Sequence, residues 1–245
     1  MDQKRPLTFT LFMLRLLSGI VGGAAGTLAL FIAYFILQNA LPASDEATSL
    51  SVFVIIIMTF VGTLVANTVT GVMVTFMDNE KYSRRKTMVM HIFLFNLILF
   101  FLTIPLYLMG VALDIVIGIA AVHFLLSAFI SALIMEVLAG REYSLLGIYS
   151  NALGVFVSIG LALLFVTTGV KDITIMFIAM PGVWLVLELI GGLSELIYDN
   201  FLKLYGIDVL NVETDLGGDK EVEPEEKEED EEGESEEKEE DEKND

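Results

Sequence analysis

The chain of 245 residues lacks cysteine and contains only two histidines and one tryptophan. The absence of cysteine excludes disulfides, cysteine-ligated zinc, iron–sulfur clusters and thiol nucleophiles. The histidines, His91 and His123, fall in different apolar segments, so a histidine-centred metal site has few ligands. Motifs of zinc hydrolases, serine hydrolases and phosphate-binding loops are also missing. We therefore expect no enzymatic activity, no catalytic residue, no cofactor and no metal.

Charge is scarce in the first 200 residues, where one apolar run follows another. The chain is 55% hydrophobic with a mean hydropathy of +0.70, above the roughly 45–50% apolar content of soluble domains. Six runs are each longer than the ~20 residues that a helix needs to cross a ~30 Å hydrocarbon core. They cover residues 11–37, 50–77, 88–109, 115–138, 145–168 and 173–198. The sequence thus predicts an all-α, polytopic transmembrane bundle of six helices, with residues 1–206 as one domain in the lipid bilayer.

Lysine and arginine lie almost entirely on one side of the predicted membrane. The basic residues on that side are Lys4, Arg5, Arg15, Lys81, Arg84, Arg85, Lys86, Arg141 and Lys203. The other side has Lys171. Because short basic loops are retained in the cytoplasm, this bias predicts an integral membrane protein with both termini cytoplasmic. Short loops and the lack of a large luminal domain favour the plasma membrane of a prokaryote.

The end of the chain has the opposite composition. Residues 219–245 contain 18 acidic residues and 4 lysines, which account for −14 of the formal charge of −19. Residues 207–245 have too few apolar side chains to form a core, so we predict a disordered acidic cytoplasmic tail. Before it, residues 195–205 are predicted to continue helically along the membrane surface until Gly206 stops them. The negative charge argues against nucleic acid as a partner and admits a basic cytoplasmic protein.

The first predicted helix is rich in glycine. Its glycines form two overlapping Gly-x-x-x-Gly pairs and are Gly19, Gly22, Gly23 and Gly26. In a bilayer, helices associate through small residues because these let the backbones approach closely. We interpret these glycines as a packing face, which also suits a protein partner or a second copy of the chain. The alternative is that this face lines a polar cavity.

One acidic residue is predicted to lie deep in the membrane. Glu188 is about nine residues, or roughly 14 Å, from the cytoplasmic end of the sixth helix. A carboxylate there is costly unless it is neutral, paired or hydrated, which makes it a candidate functional residue. Pro181 and Gly182 are expected to interrupt the same helix. Arg15 and Glu136, near the ends of their helices, are expected to be anchors at the membrane surface.

Three other polar residues complete the predicted site. Asn67 in the second helix and Asn96 in the third fall ~12 to 15 Å from the same end, at the level of Glu188. One interpretation is that these three residues share a hydrogen-bonded site for a proton or a small solute. The alternative is structural, with Glu188 protonated and bonded to an asparagine or to a backbone carbonyl. His123 in the fourth helix lies ~22 Å from that end and is expected to be a second station.

Two functions of different classes fit these features. The first is a small-solute or proton transport component built around the midplane site. The second is a non-catalytic membrane assembly or scaffold protein, which would recruit partners through its glycine-rich helix faces and its acidic tail. The buried acid in a proline-containing helix favours transport, because a scaffold has less need of such a residue.

Overall fold

The computed structural model describes residues 8–40, 47–78, 85–109, 113–139, 141–169 and 172–207. Within these ranges the chain forms six long α-helices, which are α1 Phe9–Ala40, α2 Ala47–Met77, α3 Arg85–Met109, α4 Leu113–Ala139, α5 Arg141–Thr167 and α6 Asp172–Ile197. Their apolar spans are 21 to 31 residues long. At 1.5 Å per residue even the shortest is about 31 Å long, enough to cross a ~30 Å hydrocarbon core. The predicted all-helical fold is confirmed, and it supports a multi-pass membrane protein.

Two local expectations about helix ends and breaks are wrong. α5 begins at Arg141, four residues before the predicted start, because residues 141–144 contain neither glycine nor proline and continue the helix. α6 runs without a break through Pro181 and Gly182. Proline removes a single backbone donor, and the surrounding helices hold α6 in helical form.

The chain divides into Met1–Asn211 and Val212–Asp245. The predicted disorder of the tail falls on residues that, from 208 onward, lie outside the described residues.

The six helices form an inner and an outer set. α2, α4 and α6 contact one another, while α1 packs on α2 and α6, α3 on α2 and α4, and α5 on α4 and α6. In an 18-residue window of each span, 44%, 44% and 50% of the residues of α2, α4 and α6 are buried. The corresponding shares for α1, α3 and α5 are 22%, 28% and 22%. Polar side chains on the inner helices are therefore enclosed by protein.

The outer helices expose large apolar side chains. Examples are Phe31 and Phe35 on α1, Leu102 on α3, and Phe156 and Leu163 on α5. Apolar surface of this extent is a liability in water and suits contact with lipid acyl chains. The exterior of the bundle thus agrees with the membrane-spanning length of its helices.

The sixth span continues past α6 in one π-helical turn, Tyr198–Leu202. The chain then turns at Gly206, whose φ of +68° is a left-handed conformation that glycine adopts without strain. The N–H of Ile207 donates to the carbonyl of Leu202 at 2.9 Å, which closes a Schellman-type end. The chain thus continues helically to Leu202 and turns at Gly206, as the sequence indicates, while its course along the membrane surface stays a prediction.

Glycines bring α1 against the inner helices. A Cβ on Gly19 would lie 2.7 Å from the carbonyl oxygen of Trp184 in α6. A Cβ on Gly22 would lie 3.0 Å from the carbonyl oxygen of Ala66 in α2. Neither distance leaves room for a methyl group without a backbone shift. These two glycines therefore serve packing within the chain.

Two glycines of α5 give a matched test of close packing. A Cβ on Gly147 would lie 2.7 Å from Cβ and Cγ of Glu136 in α4, whereas nothing lies within 4 Å of a Cβ on Gly160. We expect Gly147→Ala to destabilise the bundle by about 1–3 kcal/mol through overpacking. Gly160→Ala should leave stability unchanged or raise it, because alanine favours helix. Thermal denaturation in detergent micelles, followed by circular dichroism, checks both variants. Equal effects would contradict the close α4–α5 contact.

Candidate functional site

One arginine binds three carboxylates near one end of the bundle. Nε of Arg15 donates to Glu188 at 2.9 Å, and its Nη1 donates to Glu195 at 2.7 Å. Its Nη2 donates to Glu136. Each nitrogen of the guanidinium thus binds a different acid, and together these contacts join α1, α4 and α6. We call these four residues the Arg15 cluster.

The Arg15 cluster is shielded from solvent. The side chain of Arg15 is 10% exposed, and the side chains of the three acids are 4% to 8% exposed. Burying ionised groups costs several kcal/mol each, and this cost is offset only when the pairing geometry is good. A guanidinium suits this task because its planar fork of donors makes charge-assisted hydrogen bonds in fixed directions.

Close packing at glycines explains how α1 places Arg15 next to these acids. Arg15 and Gly19 are four residues apart, so they share one face of α1. A Cβ on Gly19 would lie 2.9 Å from Cγ of Glu188, which shows how closely α1 approaches α6 there. On the opposite side, Gly147 of α5 leaves room for the side chain of Glu136. Because glycine has no side chain, Gly19 on α1 and Gly147 on α5 make space for Glu188 and Glu136.

A second set of buried polar side chains occupies the middle of the bundle. Asn67 Nδ2 donates to Asn96 Oδ1 at 2.8 Å and to Ser127 Oγ at 2.6 Å. Ser127 Oγ donates to the same Asn96 oxygen at 2.5 Å. The indole N–H of Trp184 donates to Asn67 Oδ1 at 2.9 Å. All four residues are buried. We call them the central polar layer, and they join α2, α3, α4 and α6.

Every amide group of the central polar layer is satisfied. Asn96 Nδ2 donates to the carbonyl of Ile92 at 2.7 Å and to Ser131 Oγ at 3.2 Å. Asn67 uses its oxygen for the indole and its nitrogen for two acceptors, as described above. Such a closed network is stable in an apolar interior because no polar group loses water without gaining a partner.

A third polar group lies further from the Arg15 cluster. Thr103 Oγ1 of α3 is 2.9 Å from His123 Nδ1 of α4. The ring of His123 is also next to that of Tyr107, with 6.4 Å between their centroids. All three residues are buried. Polar side chains thus recur at three levels through the interior of the described bundle.

The structure brings together only part of the predicted site. Asn67 and Asn96 are hydrogen-bonded to each other as expected. Glu188 bonds neither of them but turns to Arg15. It is connected to the layer indirectly, because Trp184 lies four residues earlier, or about one turn, on α6. His123 belongs to the separate group with Thr103.

The main omission of the sequence analysis is Arg15. The expectation that Arg15 and Glu136 are separate anchors at the surface is wrong, since they bind each other inside the bundle. A buried acid is usually paired with a positive charge, so Glu188 indicated that a cation lies at the same depth. What the sequence lacked was any sign of which helix would supply it. Trp184 was similarly overlooked as a hydrogen-bond donor.

The chemistry available at these levels is acid–base and hydrogen-bonding chemistry. The Arg15 cluster can exchange ion-pair partners or take up a proton. The central polar layer presents amide, hydroxyl and indole groups, which bind neutral polar molecules or hold helices together. Within the described ranges, no group of three or more His, Asp or Glu side chains is arranged to hold a metal ion.

Loss of Arg15 is expected to be far more damaging than loss of a single acid. Arg15→Gln would leave three carboxylates buried around a neutral amide, and breaking buried pairs in this way costs about 3–5 kcal/mol. Glu195→Gln keeps two carboxylates on the guanidinium and should cost clearly less. Chemical or thermal denaturation in micelles measures both. Similar losses for the two variants would contradict Arg15 as the common partner.

Trp184 is the one tryptophan in the sequence, so its fluorescence reports on the central polar layer alone. We expect Asn67→Leu to shift its emission to shorter wavelength, because the indole N–H loses its acceptor in an apolar setting. The variant should also lose about 1–3 kcal/mol of stability through the unpaired donor and acceptor groups. Ser194→Ala, which removes a bond to the backbone of α6 itself, is the control and should leave the emission unchanged. An unchanged spectrum in Asn67→Leu would contradict the indole–amide bond.

Comparison with known proteins adds no family to this picture. No family model, no curated protein and no solved structure matches the chain. The function must therefore be inferred from the three polar levels and from the membrane-spanning fold that encloses them.

Proposed function

We propose that this chain is a membrane transport component for protons or a small polar solute, with the central polar layer as its midplane site. The observation that carries the proposal is the set of polar side chains enclosed at successive levels of a bundle with an apolar exterior. Helix packing in a bilayer uses small residues and interhelical hydrogen bonds, and the glycines of α1 and α5 serve that purpose here. The buried ionised groups of the Arg15 cluster go beyond this need, and such groups are typical of transport pathways.

Glu188 has the position expected of a coupling residue. It binds Arg15 directly, and Trp184, one turn away, binds Asn67. A change of partner at Glu188 would therefore act on the Arg15 cluster and, through α6, on the central polar layer. This is the kind of two-state element on which alternating access depends.

The conformation described is closed at both of these levels. The guanidinium and its three acids fill the space between α1, α4 and α6. In the central polar layer an indole donates and cannot accept, and neutral amides do not relay protons as hydroxyls or carboxyls do. Passage therefore requires these contacts to open, which argues for a gated carrier over an open pore. If both termini are cytoplasmic, as the positive charges predict, the Arg15 cluster closes the cytoplasmic end.

The scaffold hypothesis is the competing proposal. The apolar faces of α1, α3 and α5 suit partner helices as well as lipid. Gly19 and Gly22, however, are used for packing inside the chain, so they do not present a free face to a partner. A scaffold also gains nothing from a charged cluster that is already internally paired.

A reconstitution experiment tests the transport proposal. Proteoliposomes with an entrapped pH-sensitive dye are given a potassium-diffusion potential, and proton flux is followed from pH 5 to 8. A panel of small polar solutes as counter-substrates extends the assay. We expect Glu188→Gln to abolish flux while the protein stays folded, because Arg15 keeps two carboxylates. Asp199→Asn, an acid on the turn that follows α6, is the matched control.

The outcomes separate the two proposals. Flux in the parent protein and in Asp199→Asn, but not in Glu188→Gln, supports transport. A parent protein without flux of protons or of any solute in the panel would reject transport in favour of the scaffold. Unchanged flux in Glu188→Gln would reject the assigned role of Glu188.

A further inference from the structure

Three buried polar atoms near His123 have no hydrogen-bond partner among the described residues. They are Nε2 of His123, the hydroxyl of Tyr107 and Oγ1 of Thr59. Each of these residues is 1% exposed. They come from α4, α3 and α2, so three helices each direct one unsatisfied group into the same interior.

These atoms belong to one neighbourhood. The rings of Tyr107 and His123 are 6.4 Å apart at their centroids. The hydroxyl of Thr59 lies beside the phenol of Tyr107 without completing a hydrogen bond. Apolar side chains surround them, since Tyr107 belongs to the same core cluster as Met58 and Phe124. A polar group left unpaired in such a setting is destabilising.

The hydrogen bond to Thr103 determines which nitrogen of His123 carries the proton. Thr103 Oγ1 donates within its own helix, to carbonyl oxygens of Leu99 and Phe100 that are each 3.0 Å away. We infer that this hydrogen stays on a backbone carbonyl, so that the Nδ1–H of His123 donates to the Thr103 oxygen at 2.9 Å. In the neutral ring Nε2 then has a lone pair and no proton. It requires a donor.

We propose that Thr59, Tyr107 and His123 form a binding site for a small neutral hydrogen-bond donor, occupied in the resting protein by one water molecule. The water donates to His123 Nε2, accepts from the Tyr107 hydroxyl and makes its remaining bond with Thr59. Buried waters commonly make two to four such bonds to groups that are otherwise unsatisfied. The site goes beyond the proposed function, because it exists whether or not the protein moves a solute.

The site has a chemical consequence for the bundle. The water connects the phenol of Tyr107 to an imidazole nitrogen that accepts a hydrogen bond. His123 in turn is bonded to Thr103, so its ring is held in one orientation. A hydrogen-bond acceptor is thus held on the far side of the central polar layer from the Arg15 cluster.

Nuclear magnetic resonance of labelled histidine tests the site directly. His91→Gln leaves one imidazole, because the sequence contains two histidines. In this background ¹⁵N shifts identify the tautomer of His123. Cross-relaxation between water and the carbon-bound ring protons then detects a water held at the ring. We expect the Nδ1-protonated tautomer and a clear water signal.

Two further variants serve as test and control. Thr59→Val combined with Tyr107→Phe keeps the shapes of both side chains and removes two of the three partners, so the water signal should disappear. Thr63→Val removes a buried hydroxyl one turn away on α2 that bonds only its own helix backbone, so the signal should persist.

Three results would overturn the site. They are an Nε2-protonated tautomer, a ring without a water signal in the His91→Gln background, and an unchanged signal in the double variant. None of these readouts depends on transport. A dry site would leave the transport proposal intact, and a protein inactive in the flux assay would leave the water site intact.

Discussion

The rest of the structure depends on the ionic contact of one arginine with three carboxylates. Arg15 links the beginning of α1 to the end of α4 and to two turns of α6. In a bilayer an unpaired charge of either sign is unstable, so the four residues are stable there only because α1, α4 and α6 bring them together. The glycines at positions 19 and 147 follow from that constraint, since the backbones next to the acids have to come close.

The division into inner and outer helices places the polar groups. Residues of α2, α4 and α6 meet at the centre, and α1, α3 and α5 cover the gaps between them. The central polar layer takes one residue from each inner helix and Asn96 from an outer one. Its amides are fully paired, whereas the group around His123 is not. In the conformation described, the amides of the central polar layer are therefore closed to a ligand, and the unpaired atoms near His123 are where we propose a bound water.

Properties that belong to a single segment could be predicted from the sequence. Six apolar runs of the right length predicted six helices, and the positions of Asn67 and Asn96 along their helices placed them at one level. Properties that depend on rotation about a helix axis could not be predicted in this way. The depth of a residue follows from its position along the helix, but the direction of the Glu188 side chain depends on how the neighbouring helices pack around α6. For this reason Glu188 was expected beside the asparagines and lies beside Arg15.

By itself the sequence determined the all-helical class, the number of membrane-spanning helices, the stop at Gly206 and the need for a buried acid to have a partner. These follow from hydrophobic length, backbone conformation and the cost of charge in an apolar medium, none of which requires knowledge of neighbours. Only the tertiary structure decided which helices are inner, that Arg15 is the partner of Glu188, and that Thr59, Tyr107 and His123 meet. Such pairings join residues far apart in the chain, and they depend on how helices of similar hydrophobicity pack around one another.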